Sequence, residues 1–216
     1  MKTRAPSSSA QLGFDALLAD AAFTNAHREQ ALAAAHLPAT FEEALPFYRA
    51  LIERHHAAML AAEWPTVLSL RNEAHRLAEK LNGFDPGICA DDDAPGCRLE
   101  NETRAPDETI PLWGQAGTFE LACQSMRVRI EMDGLFGVGA HFMTWPGFGA
   151  HAVEWDKPFI SETGYRSFLG LHGELCEGQS TEAFAAAVIE AHVARTLKGR
   201  LVSIDRKYRE RAESAA

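Results

Sequence analysis

The sequence predicts an α+β protein: an N-terminal helical hairpin region, a mainly antiparallel sheet, and a C-terminal helix. Three observations carry this. Apolar residues recur at helical spacing between Phe47 and Leu81, the period switches to two from Thr118 onward, and Ser180-Thr181-Glu182 opens a second helical stripe near the end of the chain. The organisation that follows is a helical region over 1–83, an acidic linker over 84–110 and a sheet-containing domain with C-terminal helices over 111–216.

Taken in order, Leu12, Leu17, Leu18, Ala21 and Ala22 are spaced for one amphipathic helix, with a second short helical stretch ending near Leu37-Pro38. Thr40-Phe41-Glu42-Glu43 reads as a capping box, and Pro46 must either kink the helix it starts or sit in the first turn of a new one. Tyr48, Leu51, Ile52, Met59 and Leu60 form one stripe; after Trp64-Pro65, Val67, Leu70, Ala74, Leu77 and Leu81 form another, stopped by Asn82-Gly83. The short connection makes 47–83 an antiparallel helical hairpin. Residues 84–110 carry Asp85, Asp91, Asp92, Asp93, Glu100, Glu102, Asp107 and Glu108 against Arg98 and Arg104 alone, a composition that reads as a solvated acidic loop. The aspartate run lacks the alternating spacing and distal glutamate of a calcium loop.

Phe119 and Leu121 alternate with Glu120, and Met126, Val128, Ile130 and Met132 alternate with Arg127, Arg129 and Glu131, so one face of the sheet is buried and the other wet. Phe184, Val188, Ile189 and Val193 line the later helix, which ends near Lys198-Gly199. The basic tail from Arg195 to Arg211 reads as a solvated helix paired with the acidic linker, a simpler account than nucleic-acid contact.

The 216 residues are 46% hydrophobic and 24% charged, with a formal charge of −9, which suits a folded chain and argues against a generally cationic nucleic-acid surface. No apolar run approaches the ~20 residues of a membrane span and no secretory h-region follows Met1. A cytoplasmic protein is the expectation. Cys89, Cys97, Cys123 and Cys176 show no C-x-x-C spacing; Cys89 and Cys97 bracket a loop whose turn would bring them within disulfide reach, the alternative being two ordinary thiols. No cofactor and no metal are called for. His55, His56, His75 and His192 read as surface or boundary positions on helices.

The most informative feature is a repeat at a period of ten: Gly137-Val138-Gly139-Ala140-His141-Phe142-Met143-Thr144-Trp145 and, after Pro146, Gly147-Phe148-Gly149-Ala150-His151-Ala152-Val153-Glu154-Trp155. A hairpin turning at Trp145-Pro146-Gly147 is the simplest fold for it. A three-residue loop would set His141 opposite His151, with Cβ atoms about 4.5–5.5 Å apart on one face; an even-numbered loop would send them to opposite faces. The hexamer Ser161-Glu162-Thr163-Gly164-Tyr165-Arg166 reads as a binding loop, in which Arg166 would clamp an anion that Ser161, Thr163 and Tyr165 orient, or as a loop held by its own side-chain bonds with Arg166 paired to Glu162. Together with Trp145 and Trp155 these residues are the candidate binding site. There is no G-x-S-x-G elbow and no phosphate-cradling glycine loop.

Ala61-Ala62-Glu63-Trp64-Pro65-Thr66-Val67-Leu68, Pro111-Leu112-Trp113-Gly114, the region from Asp133 to Trp155 and the segment from Lys157 to Gly170 together resemble uncharacterised proteins carried on plasmids and integrative mobile elements of proteobacteria. The resemblance spans roughly residues 45 to 210 and implies an accessory role in transfer, maintenance or defence evasion, with no activity and no catalytic residue to carry over. The function expected is that of an accessory or regulatory protein that binds a macromolecular partner, most simply another protein, with a homodimer served if Trp145 or Trp155 is exposed. Two alternatives stand beside it: a hydrolase-like enzyme using His141 and His151 with Arg166 as anion clamp, and an acidic nucleic-acid mimic that inhibits a defence enzyme.

Overall fold

Thr40 caps the helical hairpin, its hydroxyl accepting the Glu43 amide (3.3 Å) while the Glu43 carboxylate receives the amide of Ala39 (3.4 Å). In the computed structural model, which describes residues 9–137, 147–169 and 175–214, the chain runs through α1 (Ser9–Ala33), α2 (Phe41–Leu60), α3 (Trp64–Leu81), α4 (Pro95–Glu102), β1 (Gly117–Cys123), β2 (Met126–Met132), β3 (Phe148–Ala152), β4 (Tyr165–Phe168), α5 (Thr181–Arg195) and α6 (Arg206–Glu213). The α+β class is as expected. The hairpin is α2 and α3; Pro46 lies inside a continuous α2, past its first turn, so the helix neither stops nor restarts there. Pro65 occupies the first turn of α3, where its missing N–H costs nothing.

The N-terminal helix is longer than its apolar spacing suggests, and Leu17, Leu18, Ala21 and Ala22 of that spacing are not buried. Leu17, Leu18 and Leu32 are exposed. The chain becomes anchored only at Ala34 and Leu37, both buried, where the Lys80 ammonium of α3 donates to the carbonyls of Ala34 (3.0 Å) and Leu37 (2.5 Å) and so caps the end of α1.

The four strands form an antiparallel meander in the order β1-β2-β3-β4. Phe119, Leu121, Val128, Ile130, Met132, Phe148, Ala150 and Phe168 face inward and meet Phe184, Ala185, Ile189 and Val193 of α5, with Phe148 between the rings of Phe168 and Phe184. Ser180 caps α5 as expected, its hydroxyl accepting the Ala183 amide at 3.1 Å.

The first copy of the decapeptide repeat lies, but for Gly137, outside the described residues; in the second copy β3 has β2 on one edge and β4 on the other. Three expectations are corrected. The stretch 84–110 is not a solvated loop throughout, because Leu99 of α4 is fully buried and Glu100 reaches in to accept the Phe136 amide (3.0 Å). Burial holds that carboxyl above the usual range, and Gly134 lets it pass where a β-carbon would not fit. The basic tail pairs elsewhere than with the acidic stretch: Val202 and Phe159 exchange backbone hydrogen bonds, Asp205 N donates to Glu162 O (2.8 Å), and Arg206 and Lys207 pair with Glu210 and Asp205. Finally, His55, His75 and His192 are buried.

His55 shows why. Arg71 Nε donates to its Nε2 (3.0 Å), which leaves the proton on Nδ1 to be donated to the Trp113 carbonyl (2.9 Å), while the Trp113 amide donates to His56 Nδ1 (3.1 Å). Trp113 is itself fully buried; its indole N–H donates to Gln179 O (2.8 Å), and Thr181 Oγ1 donates to Pro111 O (2.8 Å). The helical hairpin, the 111–114 turn and the start of α5 are thereby hydrogen-bonded to one another. Burial, reinforced by the Arg71 charge, drives the His55 imidazole down from 6.5 to about 3.

A histidine whose pKa falls on folding stabilises the native state only while neutral, so its contribution is complete above 6.5 and is lost as pH falls toward about 3. His55→Gln is expected to cost about 2–4 kcal/mol at pH 8. That cost shrinks by up to ~1.4 kcal/mol for each pH unit below 6.5, read as the difference between wild-type and variant urea midpoints across a pH series.

Candidate functional site

Alternation along the strands decides which side chains leave the core. On the outward face stand Thr118 and Glu120 of β1, Arg127, Arg129 and Glu131 of β2, Gly149 and His151 of β3, and Tyr165 and Ser167 of β4. The register lines four of them up: Glu120 opposes Arg129, Arg129 opposes His151 and His151 opposes Tyr165, a row crossing the whole sheet. Two diagonal contacts tie this row to its neighbours. Arg127 makes an ion pair with Glu120, and His151 Nε2 lies 3.2 Å from Glu131 Oε2.

His151 is half-buried by its own neighbours. Its ring stacks at a tilt on Tyr165 with centroids 4.7 Å apart, and both lean over Gly149, where a β-carbon would stand 3.3 Å from His151 Nε2 and 3.3 Å from the tyrosine ring. The glycine of the repeat therefore makes room for the pair. Tyr165 is 46% exposed, so an amphipathic ring, an imidazole and two arginines are presented together on a flat, open surface.

The remaining candidates divide. Ser161 and Thr163 bond to each other (2.9 Å), and the Thr163 hydroxyl donates to Tyr165 O (2.8 Å) while accepting the Tyr165 amide (3.3 Å), so this loop is held by its own side chains. Glu162 is exposed and offers its carbonyl to Asp205. Trp155 is half-buried, its six-membered ring lying directly on Gly164, which adopts φ +72°. Arg166 does not join the group: it opposes Ala150 and stands on the same face as Phe168, its guanidinium 5.6 Å from that ring. Its charge bears on His192, which burial first and Arg166 second hold below the usual imidazole range. The sheet separates Arg166 from His151, which overturns an anion clamp shared by the two. His141 and Trp145 lie outside the described residues.

Glu120, Arg127, Arg129 and Glu131 were missed as site residues, although alternation marks all four as outward. Knowing that β2 lies beside β3 is what turns them from a wet face into neighbours of His151. Among the described residues no group of three or more His, Cys, Asp or Glu side chains is placed to hold a metal ion, and no helix is long and apolar enough to cross a membrane.

Fold and site together define an α+β protein whose four-stranded antiparallel sheet is packed by helices on one face and, among the described residues, is left open on the other. Residues 116–211, which hold the whole sheet, α5 and most of α6, match the family model described as KlcB third domain. The chain is 32% identical over 185 residues to a Protein KlcB of Escherichia coli, covering 84% of this chain and 43% of that protein. A second Escherichia coli Protein KlcB is 37% identical over 115 residues, 52% of this chain and 24% of its own length. The chain thus spans less than half the length of these curated relatives. No solved structure matches it.

The Trp155 contact can be isolated by comparing two glycines. Gly199 has φ +76° and nothing within 4 Å of the place a β-carbon would take, so Gly199→Ala is expected to cost only backbone strain, about 1 kcal/mol. Gly164→Ala carries the same strain plus collision with Trp155, and is expected to cost about 1–3 kcal/mol more in denaturant titration.

Proposed function

We propose that this chain is an accessory or regulatory protein that acts by binding a protein partner through the outward face of the sheet. The observation that carries this reading is the unbroken row Glu120–Arg129–His151–Tyr165 on a sheet face that no described helix covers. Tyrosine and arginine are the residues most often found carrying binding energy at interfaces, and the two arginines of the face are matched by two glutamates, which suits a mixed-charge protein surface better than a phosphate backbone. The preformed contacts Arg127–Glu120 and His151–Glu131 hold the face in one arrangement before any partner arrives, so little ordering cost remains. The similarity to KlcB is compatible with an accessory role and supplies no activity.

The test splits two neighbouring residues that lie on opposite faces. Partners co-purified with the tagged chain from its native host are quantified for Arg129→Ala, Tyr165→Ala and Arg166→Ala. The first two are expected to weaken binding at least about tenfold each, on the scale of an interface hot spot, and the third to leave it unchanged. Full retention by the double variant Arg129→Ala/Tyr165→Ala, with its fold intact by circular dichroism, would remove the proposal.

A further inference from the structure

Outside the sheet, two thiols are brought together at the entrance to α4. Gly96 N donates to Ile88 O (2.8 Å), which sets the residues that follow each, Cys97 and Cys89, beside one another. The chain between them is folded tightly, with Asp93 N on Asp91 Oδ1 (3.1 Å) and Ala94 N on Asp91 O (3.1 Å). Gly96 is buried, and a β-carbon there would stand 2.7 Å from Cys89 Sγ and 2.7 Å from Ile88 O. The missing side chain is therefore what lets the Cys89 sulfur lie over the backbone next to Cys97. Cys97 is a direct electrostatic neighbour of the Cys89 thiol and helps it keep its proton. Cys89 is exposed, Cys97 is half-buried, and both are reduced.

We propose that Cys89 and Cys97 are a redox modification site, a dithiol that peroxide converts to an intramolecular disulfide closing the loop 89–97. With the Cys89 sulfur lying against Gly96, next to Cys97, and the two segments tied by the Gly96–Ile88 bond, the sulfurs can join with little rearrangement of the backbone. Desolvation of its sulfur against the Gly96 backbone first, then the neighbouring Cys97 and Glu100 charges, push the Cys89 thiol up to about 12, so Cys89 resists ionisation and the attack is assigned to Cys97. Cys97 sulfur forms a bond to one peroxide oxygen as the O–O bond breaks; the departing hydroxide takes the Cys97 thiol proton and leaves as water, giving a sulfenic acid. Cys89 sulfur then bonds to the Cys97 sulfur, the S–O bond breaks, and the second hydroxide leaves as water with the Cys89 proton. Two thiols are oxidised by two electrons and one hydrogen peroxide is reduced to two waters.

The experiment treats the full chain with a small molar excess of hydrogen peroxide, alkylates it under denaturing conditions and maps the peptides by mass. The expected product joins Cys89 to Cys97 with the loss of two hydrogens, while Cys123, which is buried, and Cys176, which is exposed, remain alkylated. In Cys89→Ser the Cys97 sulfenic acid persists and is captured by dimedone; in Cys97→Ser the oxidation of Cys89 slows at least about tenfold. Gly96→Ala, which drives the sulfurs apart, slows disulfide formation by about the same factor. Wild-type protein that yields sulfinic or sulfonic acid at Cys97, separate alkylation of both thiols, or links only between molecules would overturn the proposal, and that readout needs no variant to fold.

Discussion

The backbone of Trp113 is held between two consecutive histidines of α2, and the arrangement of the rest of the chain depends on that grip. His55 donates to its carbonyl and His56 accepts from its amide, so a single residue of an otherwise irregular turn has both main-chain groups satisfied by side chains from a helix. From the same residue the indole N–H reaches Gln179 just before α5, and the preceding residue, Gly178, donates its amide to Leu60 O at the end of α2. Apolar contact alone would allow the helices to slide over the sheet; these directional bonds fix one position. Gly114, at φ +85°, completes the turn because a β-carbon would press on Leu135 and on His55 Nδ1. The cost is a buried histidine that must stay neutral beside Arg71, whose own guanidinium burial lowers only to about 10 and so leaves charged. A second proton there would place two cations in the core with little water to screen them.

With the helices fixed on one side, none of the described helices covers the other face of the sheet. Its inward face is saturated by Phe148, Phe168 and Phe184, and its outward face is built from charged and aromatic residues that satisfy one another laterally. Lateral pairing is what permits such a face to stay open in water without becoming an apolar patch. The loop before β4 contributes geometry: Trp155 on Gly164, and Ser161 with Thr163 on the Tyr165 backbone, set the direction in which Tyr165 enters the sheet. Arg166, one position later, is delivered to the opposite face by the same pleat.

Local rules read the helix hairpin, both side-chain caps, the face of each long strand and the turn after α5 directly from the sequence, because each depends on residues within one or two turns of each other. Pairing did not yield to the same reading. The decapeptide repeat suggested that its two copies pair, yet period two reports which way a side chain points and carries no information about which strand lies alongside. The β1–β2 turn was equally silent, since Gln124 adopts φ 54° without the glycine or asparagine that signals such turns. His55 escaped notice for a related reason: a polar residue next to the stripe of α2 looks like a boundary position until the Trp113 carbonyl, 58 residues away, supplies its partner.

The stretch 84–110 shows how composition can conceal a structural part. Its acids suggest solvation, and most are solvated, but α4 uses its two turns for different purposes. The first brings Gly96 against the Ile88 carbonyl and the Cys89 sulfur; the second places Leu99 in the core and sends Glu100 to the Phe136 amide at the exit of β2. Phe136 in turn stacks on Tyr48 of α2 with centroids 5.6 Å apart and meets the edge of His75 of α3 at 5.1 Å. A carboxylate would not be taken out of water merely to bridge two parts of the chain, since its burial is unfavourable unless the backbone donor it meets is one the fold must satisfy. Glu100 meets such a donor, and α4 is thereby a brace between the helical hairpin and the sheet.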